Sequence, residues 1–279
     1  MSKFISKNKK NKSKNKESVF SKFKKSINDS PLGVVISKLK WLDPFTYVDL
    51  FIMPKVKAVT DSELVETGVN IIFAGLFALI VYLLLGALFG TAQPLVIVYS
   101  ASMEPVMYRG DVMALTKANS EMDFGGEVTI NQNLKNMPIN NFLTAEYENN
   151  NLSKLVFENK EIIPNQNGSI IVYNSYPQGL PIIHRSIVKI KALDGEFVLT
   201  KGDNALTNYT YDQDCGKIDQ LRNTSTKNCV SFYAVPIEKI EGVAFFGIPK
   251  IGCIKLWLFD DLISIIGNGS LPRDFRGIC

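Results

Sequence analysis

Apolar residues dominate one uninterrupted stretch of the chain, residues 68–90, which contains no charged side chain. An α-helix rises about 1.5 Å per residue, so roughly twenty apolar residues cross a hydrocarbon core of about 30 Å. The stretch begins too far into the chain, and is too long, for a cleaved signal peptide. The pattern therefore predicts a single transmembrane helix over residues 68–90.

Beyond this stretch the pattern changes to short runs rich in Val, Ile, Tyr and Phe, separated by Gly, Pro, Asn and Asp. Such runs are typical of β-strands joined by turns. The predicted strands are residues 95–100, 112–116, 169–174, 182–188, 196–201 and 237–246. No long amphipathic helix pattern lies among them, so residues 91–250 are predicted to form a mainly β domain. Residues 118–167, rich in Asn and Glu and of low periodicity, are expected to be a surface insert.

The two ends of the chain have different patterns. Residues 1–30 mix Lys and Asn with few large apolar residues, which predicts a disordered tail. Residues 31–67 combine charges with aromatic side chains, a pattern that fits both a segment in the headgroup layer and a packed helix pair. Residues 251–279 are apolar but too charged for a second span, so we expect an amphipathic helix at the membrane surface or a packed helix.

The net charge of +4 is small, but lysines crowd the first 25 residues, where Glu17 is the one acid. The excess of positive charge before the span predicts a cytoplasmic N-terminus and a domain on the outer side of the cytoplasmic membrane. A basic tail also fits a nucleic-acid binder. However, the densest lysine run, residues 7–16, contains no aromatic side chain for base stacking. We therefore expect a lipid bilayer, and no nucleic acid, as a partner.

The four cysteines contain no C-x-x-C motif and form no Cys/His cluster with metal-binding spacing. The sequence therefore predicts no structural metal. Cys215 and Cys229 flank a polar loop, and they would form a disulfide if the loop lies outside the cytoplasm. Two unpaired thiols fit the same pattern, and this alternative stays open.

Ser102 comes shortly after the predicted span, and the chain has one histidine, His184. A serine becomes a nucleophile when a base takes its proton and hydrogen-bond donors stabilise the oxyanion that forms. His184 is the one imidazole available as that base. Asp203 and Asp212 are candidates for the carboxylate that orients the imidazole. The backbone N–H of Ser102 and the hydroxyl of Ser100 are candidate oxyanion donors.

Other interpretations of the same residues must be weighed. A histidine within an apolar strand often has a structural role, and a desolvated lysine would serve as the base instead. The candidate lysines are Lys189, Lys191 and Lys201. The tripeptide Arg109-Gly110-Asp111 also occurs in adhesion motifs, so a non-catalytic, membrane-tethered binding protein is the alternative function. A hydrogen-bonding distance of about 2.6–3.2 Å between Ser102 and His184 would discriminate between the two functions.

The order of several motifs is more specific than any one of them. The motifs are Ser100-Ala101-Ser102-Met103-Glu104-Pro105 after a single span, Arg109-Gly110-Asp111-Val112, Ile183-His184-Arg185, Thr200-Lys201-Gly202-Asp203-Asn204 and Gly247-Ile248-Pro249-Lys250-Ile251-Gly252. In this order they resemble the type I signal peptidases, in particular the archaeal and endoplasmic-reticulum branch, which has His where the bacterial branch has Lys. The resemblance covers roughly residues 69–252, without the insert.

The resemblance implies a signal-peptidase-type, β-rich catalytic domain on a membrane anchor, with neither cofactor nor metal. The implied activity is that of a serine endopeptidase, which removes N-terminal signal peptides from exported pre-proteins after small residues. Ser102 would be the nucleophile, His184 the general base, and Asp203 and Asp212 the supporting acids. The second acid follows the Gly-Asp turn less closely than in the family, so Asp214 is the alternative to Asp212. Ala101 replaces a frequent Gly, and the insert has no counterpart in the family.

Overall fold

A computed structural model describes residues 41, 43–157, 160–164, 166–176, 178–222 and 229–268. The predicted tail of residues 1–30, residues 31–40 of the juxtamembrane segment and the end of the chain beyond residue 268 lie outside the described residues. The chain divides into two compact units, Met1–Val81 and Tyr82–Cys279.

In the described part of the first unit, short helical turns at residues 44–57 precede one long helix. They are the α-helical turns Pro44–Tyr47 and Met53–Lys57 and, between them, the π-helical turn Val48–Ile52. The long helix, α1, is Glu63–Phe89; it begins in the first unit and ends in the second. Its 27 residues extend for about 40 Å. Among the described residues, α1 is the one helix that is long and apolar enough to cross a membrane, in agreement with the predicted span.

The second unit is mainly β, as predicted. Its strands are β1 (Leu95–Ile97), β2 (Val112–Thr116), β3 (Gly126–Thr129), β4 (Thr144–Glu148), β5 (Asn151–Phe157), β6 (Lys160–Ile162), β7 (Ile170–Asn174), β8 (Pro181–Ala192), β9 (Gly195–Lys201), β10 (Val235–Pro236) and β11 (Ile240–Ile248). The larger sheet has the order β1-β2-β11-β7-β8-β9-β10, and β3 pairs with β8 in parallel. Strands β4, β5 and β6 form a separate antiparallel sheet. Each predicted strand corresponds to one of these, with ends that differ by a few residues.

The segment of residues 118–167 contributes more than surface. It contains β3, which joins the larger sheet, and all three strands of the smaller one. Leu155 and Phe157, two residues apart on β5, are buried in the same apolar cluster as Ile190 of β8 and Leu199 of β9. The apolar alternation of this segment is real but short, and it is diluted by Asn and Glu, which is why the sequence pattern indicated a surface insert.

Short helices complete the second unit. The polar loop predicted between Cys215 and Cys229 begins with helix α2 (Cys215–Arg222), and the two cysteines form a disulfide. Near the end of the described residues, Cys253–Lys255, Leu256–Asp261 and Leu262–Asn268 follow one another as helical turns. The remaining helical turns are the 3₁₀ turns Ile139–Asn141 and Ile237–Lys239.

Candidate active site

Ser102 lies in the turn that connects β1 to β2. The next residue, Met103, is fully buried in an apolar cluster with Val98 and Leu115, so it anchors the turn to the sheet. The carbonyl of Met103 accepts hydrogen bonds from the backbone N–H groups of Val106 and Met107. The neighbouring Ser102 side chain stays partly accessible at the surface of the turn. The apolar contacts of Met103 thus hold the neighbouring Ser102 hydroxyl at a defined position.

His184 comes from β8, where it pairs with Ile171 of β7, and its side chain is buried. Its Nε2 lies 2.9 Å from Ser102 Oγ, within the hydrogen-bonding range of about 2.6–3.2 Å. Its Nδ1 lies 2.7 Å from Asp212 Oδ2. An ionised carboxylate only accepts hydrogen bonds, so His184 donates through Nδ1–H, and Nε2 is left to accept the Ser102 proton. The three side chains form one continuous hydrogen-bonded chain.

The Asp212 carboxylate is buried, and Oδ2 accepts two further hydrogen bonds, from Thr200 Oγ1 (2.6 Å) and Tyr173 OH (2.9 Å). Burial alone would raise the pKa of Asp212. The charge and hydrogen bond of His184, with the hydrogen bonds of Thr200 and Tyr173, outweigh it, so the pKa lies below its usual value. Asp212 is therefore held in the ionised form, which orients an imidazole and balances its positive charge.

Asp203 has a different partner from the one we expected. Its carboxylate accepts two hydrogen bonds from Arg185, at 2.8 Å from Nε and 2.7 Å from Nη2. Arg185 follows His184 on β8, and successive side chains of a strand point to opposite faces. Asp203 therefore forms an ion pair on the face opposite to His184, and Asp212 is the aspartate that contacts the imidazole. Asp214, the alternative second acid, instead accepts hydrogen bonds from the hydroxyls of Tyr147 and Thr210.

Comparison with known proteins finds similarity to signal peptidases, the family that the order of the motifs indicated. The catalytic subunit of the signal peptidase complex, sec11, of Schizosaccharomyces pombe is 25% identical over 168 residues, which cover 60% of this chain and 68% of the relative. The corresponding SEC11 subunit of Saccharomyces cerevisiae is 23% identical over 188 residues, 65% of this chain and 78% of the relative. The chain is related to the type I signal peptidases. No family model matches the chain.

The similarity to these signal peptidase subunits confirms the resemblance to the endoplasmic-reticulum branch that the motifs predicted. The lysines that the sequence offered as alternative bases have other partners. Lys189 Nζ lies 3.1 Å from Glu196, and Lys191 Nζ lies 2.8 Å from Glu127. Lys201 Nζ donates to the carbonyl of Gly202 at 3.0 Å. Among the described residues, Ser102 hydrogen-bonds with no lysine side chain.

Two asparagines position the serine turn, and the sequence analysis did not assign them a role. Asn204 donates through its backbone N–H to the Ser102 carbonyl (2.9 Å) and through Nδ2 to the Ala101 carbonyl (2.8 Å). Asn208 Nδ2 donates to the same Ser102 carbonyl at 3.2 Å. Asn204 stands in the Thr-Lys-Gly-Asp-Asn motif and was therefore within reach of sequence analysis. Asn208 and Tyr173 stand in no motif, and the fold alone brings them to the site.

The tripeptide Arg109-Gly110-Asp111 forms an internal turn. The Asp111 carboxylate is buried and accepts hydrogen bonds from the backbone N–H groups of Tyr108 (2.8 Å) and Lys250 (3.0 Å). The Arg109 guanidinium lies over the Tyr99 ring, 4.6 Å from its centre. Asp111 thus connects the turn before β2 to the loop after β11. An adhesion motif needs an accessible aspartate, whereas the Asp111 carboxylate is buried and hydrogen-bonded to the protein's own backbone.

An open groove of about 500 Å³ leads to the Ser102 hydroxyl. One side comes from β1 and the residues after it, including Ile97 and Tyr99, and the other from the start of β8, including Ile182 and Ile183. Ser100 Oγ lies 3.0 Å from Ser102 Oγ at the same opening. The groove therefore has apolar sides, with hydroxyl and imidazole groups at the point where a peptide bond would be attacked. We name it the catalytic groove.

Proposed function

We propose that this chain is a membrane-bound serine endopeptidase that removes N-terminal signal peptides from exported pre-proteins. The observation that carries the proposal is the hydrogen-bonded chain from Ser102 Oγ through His184 to Asp212. The related signal peptidase subunits are named as catalytic, which supports the same reaction. The apolar sides of the catalytic groove suit the small side chains that precede the scissile bond and the apolar segment of a signal peptide.

In the proposed mechanism, Ser102 Oγ attacks the scissile carbonyl carbon while His184 Nε2 takes the hydroxyl proton. The backbone N–H of Ser102 and the hydroxyl of Ser100 would donate to the resulting oxyanion. Collapse of the tetrahedral intermediate breaks the C–N bond, and His184 gives its proton to the leaving amine, which becomes the new N-terminus of the mature protein. Water, deprotonated by His184, then hydrolyses the acyl-enzyme. Asp212 remains ionised throughout and balances the imidazolium charge.

We further propose that Asp203 acts through position rather than through contact with His184. Its ion pair with Arg185 fixes the Gly202–Asn204 turn to β8, and this turn holds the Ser102 carbonyl through Asn204. The two aspartates would then support catalysis in different ways. Asp212 stabilises the charge of the base, whereas Asp203 keeps the nucleophile within reach of it.

For the localisation, we propose the cytoplasmic membrane, with α1 as a single span, the N-terminus in the cytoplasm and the β domain outside. The lysine-rich start of the chain supports this orientation. The Cys215–Cys229 disulfide agrees with it, because such bonds form and persist in oxidising compartments. The proposed partners are signal-peptide-bearing pre-proteins and the lipid bilayer.

Cleavage of a pre-protein by the detergent-solubilised full chain tests the function. Wild type should release the mature protein, and Ser102→Ala and His184→Ala should reduce kcat/KM by at least 10³-fold, as expected for loss of a nucleophile or its base. Ser120→Ala, which changes an exposed serine in a loop, is the matched control and should retain wild-type activity. Full activity of His184→Ala would exclude the Ser–His mechanism. A folded wild type that cleaves no exported protein would favour the membrane-tethered binding protein.

The same assay can distinguish the proposed roles of Asp212 and Asp203. Asp212→Asn should lower kcat on the order of 10³-fold or more, because an amide neither stabilises the imidazolium nor holds the same tautomer. Asp203→Asn should cost less, about tenfold, because Arg185 can still donate to the amide oxygen. Equal losses, or a larger loss for Asp203→Asn, would contradict the proposed division of roles.

A further inference from the structure

A second cavity, of about 510 Å³, borders the Ser102 turn and shares no lining residue with the catalytic groove. Its walls come from four parts of the chain, represented by Val106 after the serine turn, Ile163 in the insert, Arg185 of β8 and Lys201 at the end of β9. The insert therefore builds one side of a cavity beside the nucleophile. The proposed reaction assigns no role to this cavity.

The two cavities follow one another along the same elements. On β8, residues up to His184 line the catalytic groove, whereas Arg185 lines the second cavity. On the serine turn, Ser102 lines the groove and Val106 lines the second cavity. The backbone of Gly202, which also lines the second cavity, approaches Ser102 so closely that an added Cβ would lie 2.6 Å from the Ser102 carbonyl oxygen. The second cavity therefore begins beside the Ser102 turn, next to the end of the groove at which Ser102 and His184 lie.

The charges of the second cavity do not balance. Its ionisable lining groups are Lys201, Arg185 and Asp203. Arg185 and Asp203 neutralise each other in their ion pair, which leaves the positive charge of Lys201. Among the described residues, no carboxylate lies within ion-pairing distance of Lys201, whose ammonium donates to the Gly202 carbonyl. Burial lowers the pKa of Lys201 and outweighs the opposing charges of Asp212 and Asp203, so a carboxylate of a substrate beside Lys201 would stabilise its ammonium form.

We propose that the second cavity binds the first residues of the mature protein, those that follow the scissile bond, and that Lys201 favours an acidic side chain among them. This inference rests on the proposed peptidase function and deepens it, because it gives the insert and Lys201 a part in substrate selection. The lining of the catalytic groove is mostly apolar, although it includes Lys255, and takes the apolar side of the cleavage site. The second cavity, with Lys201 beside the Arg185–Asp203 ion pair, takes the polar side.

The test uses pre-proteins that share one signal peptide and differ in one residue, Glu, Gln or Lys, at the first, second or third mature position. With the solubilised full chain, kcat/KM should be roughly three- to fivefold higher for Glu than for Lys at one of these positions, the size expected of a partly exposed ion pair. In Lys201→Gln this ratio should fall to about one. Lys135→Gln, which removes an exposed lysine of the insert that does not line the cavity, should leave the ratio as in wild type.

A second variant does not depend on the folding of Lys201→Gln. Ala205 is an exposed residue that lines the same cavity, and Ala205→Glu should abolish or reverse the preference by supplying the missing carboxylate. A wild-type ratio of about one at all three positions, or a ratio that Lys201→Gln and Ala205→Glu both leave unchanged, would overturn the inference while cleavage itself still supports the peptidase. Absence of cleavage of every substrate would instead overturn the proposed function.

Discussion

At the scale of single residues, the site depends on one oxygen atom, Asp212 Oδ2. It accepts hydrogen bonds from His184, Tyr173 and Thr200, and each of them favours the ionised form. Because the folded state lowers the pKa of Asp212, this group contributes stability that is present above its unfolded pKa, about 3.9, and is lost as the pH falls through the folded pKa. In the proposed mechanism, the hydroxyls of Tyr173 and Thr200 are positioning groups, because they hold the carboxylate that contacts His184.

Tyr173→Phe removes one of these hydroxyls without changing the ring. The pKa of Asp212 should rise, so the acid limb of the kcat/KM–pH profile should move to higher pH. The free energy of unfolding should fall by about 1–2 kcal/mol, because a buried carboxylate loses a donor. Both are measurable, by activity against pH and by thermal unfolding.

Tyr176→Phe is the matched control, because Tyr176 is exposed and packs through its ring against Tyr233. Its profile and stability should equal those of wild type. An acid limb that Tyr173→Phe leaves in place would show that this hydroxyl does not act through Asp212.

At the scale of elements, two turns meet: the one that carries Ser102 and the one that follows β9. Gly202 allows their contact, because a Cβ at this position would lie 2.5 Å from Asn208 Cγ and 2.6 Å from the Ser102 carbonyl oxygen. Gly202→Ala should therefore displace the serine turn and lower kcat by about tenfold or more, since small misplacements of reacting groups are costly. Steady-state kinetics with a pre-protein would measure this effect.

Gly216→Ala in α2 is the matched control, because no atom lies within 4 Å of the added Cβ. It should retain full activity and gain up to about 1 kcal/mol in stability, as alanine does in a helix. Wild-type kcat in Gly202→Ala would mean that the two turns adjust without moving the nucleophile.

At the scale of the whole molecule, the proposed membrane anchor is α1, which is long and apolar enough to cross a bilayer. Leu79→Arg combined with Leu83→Arg places two charges near the middle of the apolar stretch, at about 2.5–3.5 kcal/mol each in insertion experiments. The doubly substituted protein should largely leave the membrane pellet during alkaline extraction, whereas wild type should remain there.

The control carries two arginines near the ends of α1, Leu64→Arg and Leu88→Arg, where long side chains reach the headgroups at little cost. It should remain in the pellet. Release of wild type together with all variants would contradict a membrane-spanning α1.

Local patterns predicted much of the fold. The charge-free run predicted α1, and β2 was predicted with the bounds that it has, Val112–Thr116. Both predictions succeeded because the apolar periodicity of a helix or a strand can be read from residues that are close together in the sequence. The structural part of residues 118–167 was underestimated because it depends on contacts with residues that are distant in the sequence. Leu155 and Phe157 show a short alternation, but their burial depends on Ile190 and Leu199, which lie far away in the chain.

The sequence by itself determined which chemical groups are available: a serine after a span, one imidazole, and several aspartates within a short distance of one another in the chain. These are matters of composition and order. The tertiary structure decided that Asp212 rather than Asp203 contacts His184, that Tyr173 donates to the same carboxylate, and that Cys215 and Cys229 are joined. These contacts depend on how residues far apart in the chain are brought within 3 Å of one another, and strand pairing and core packing set that distance.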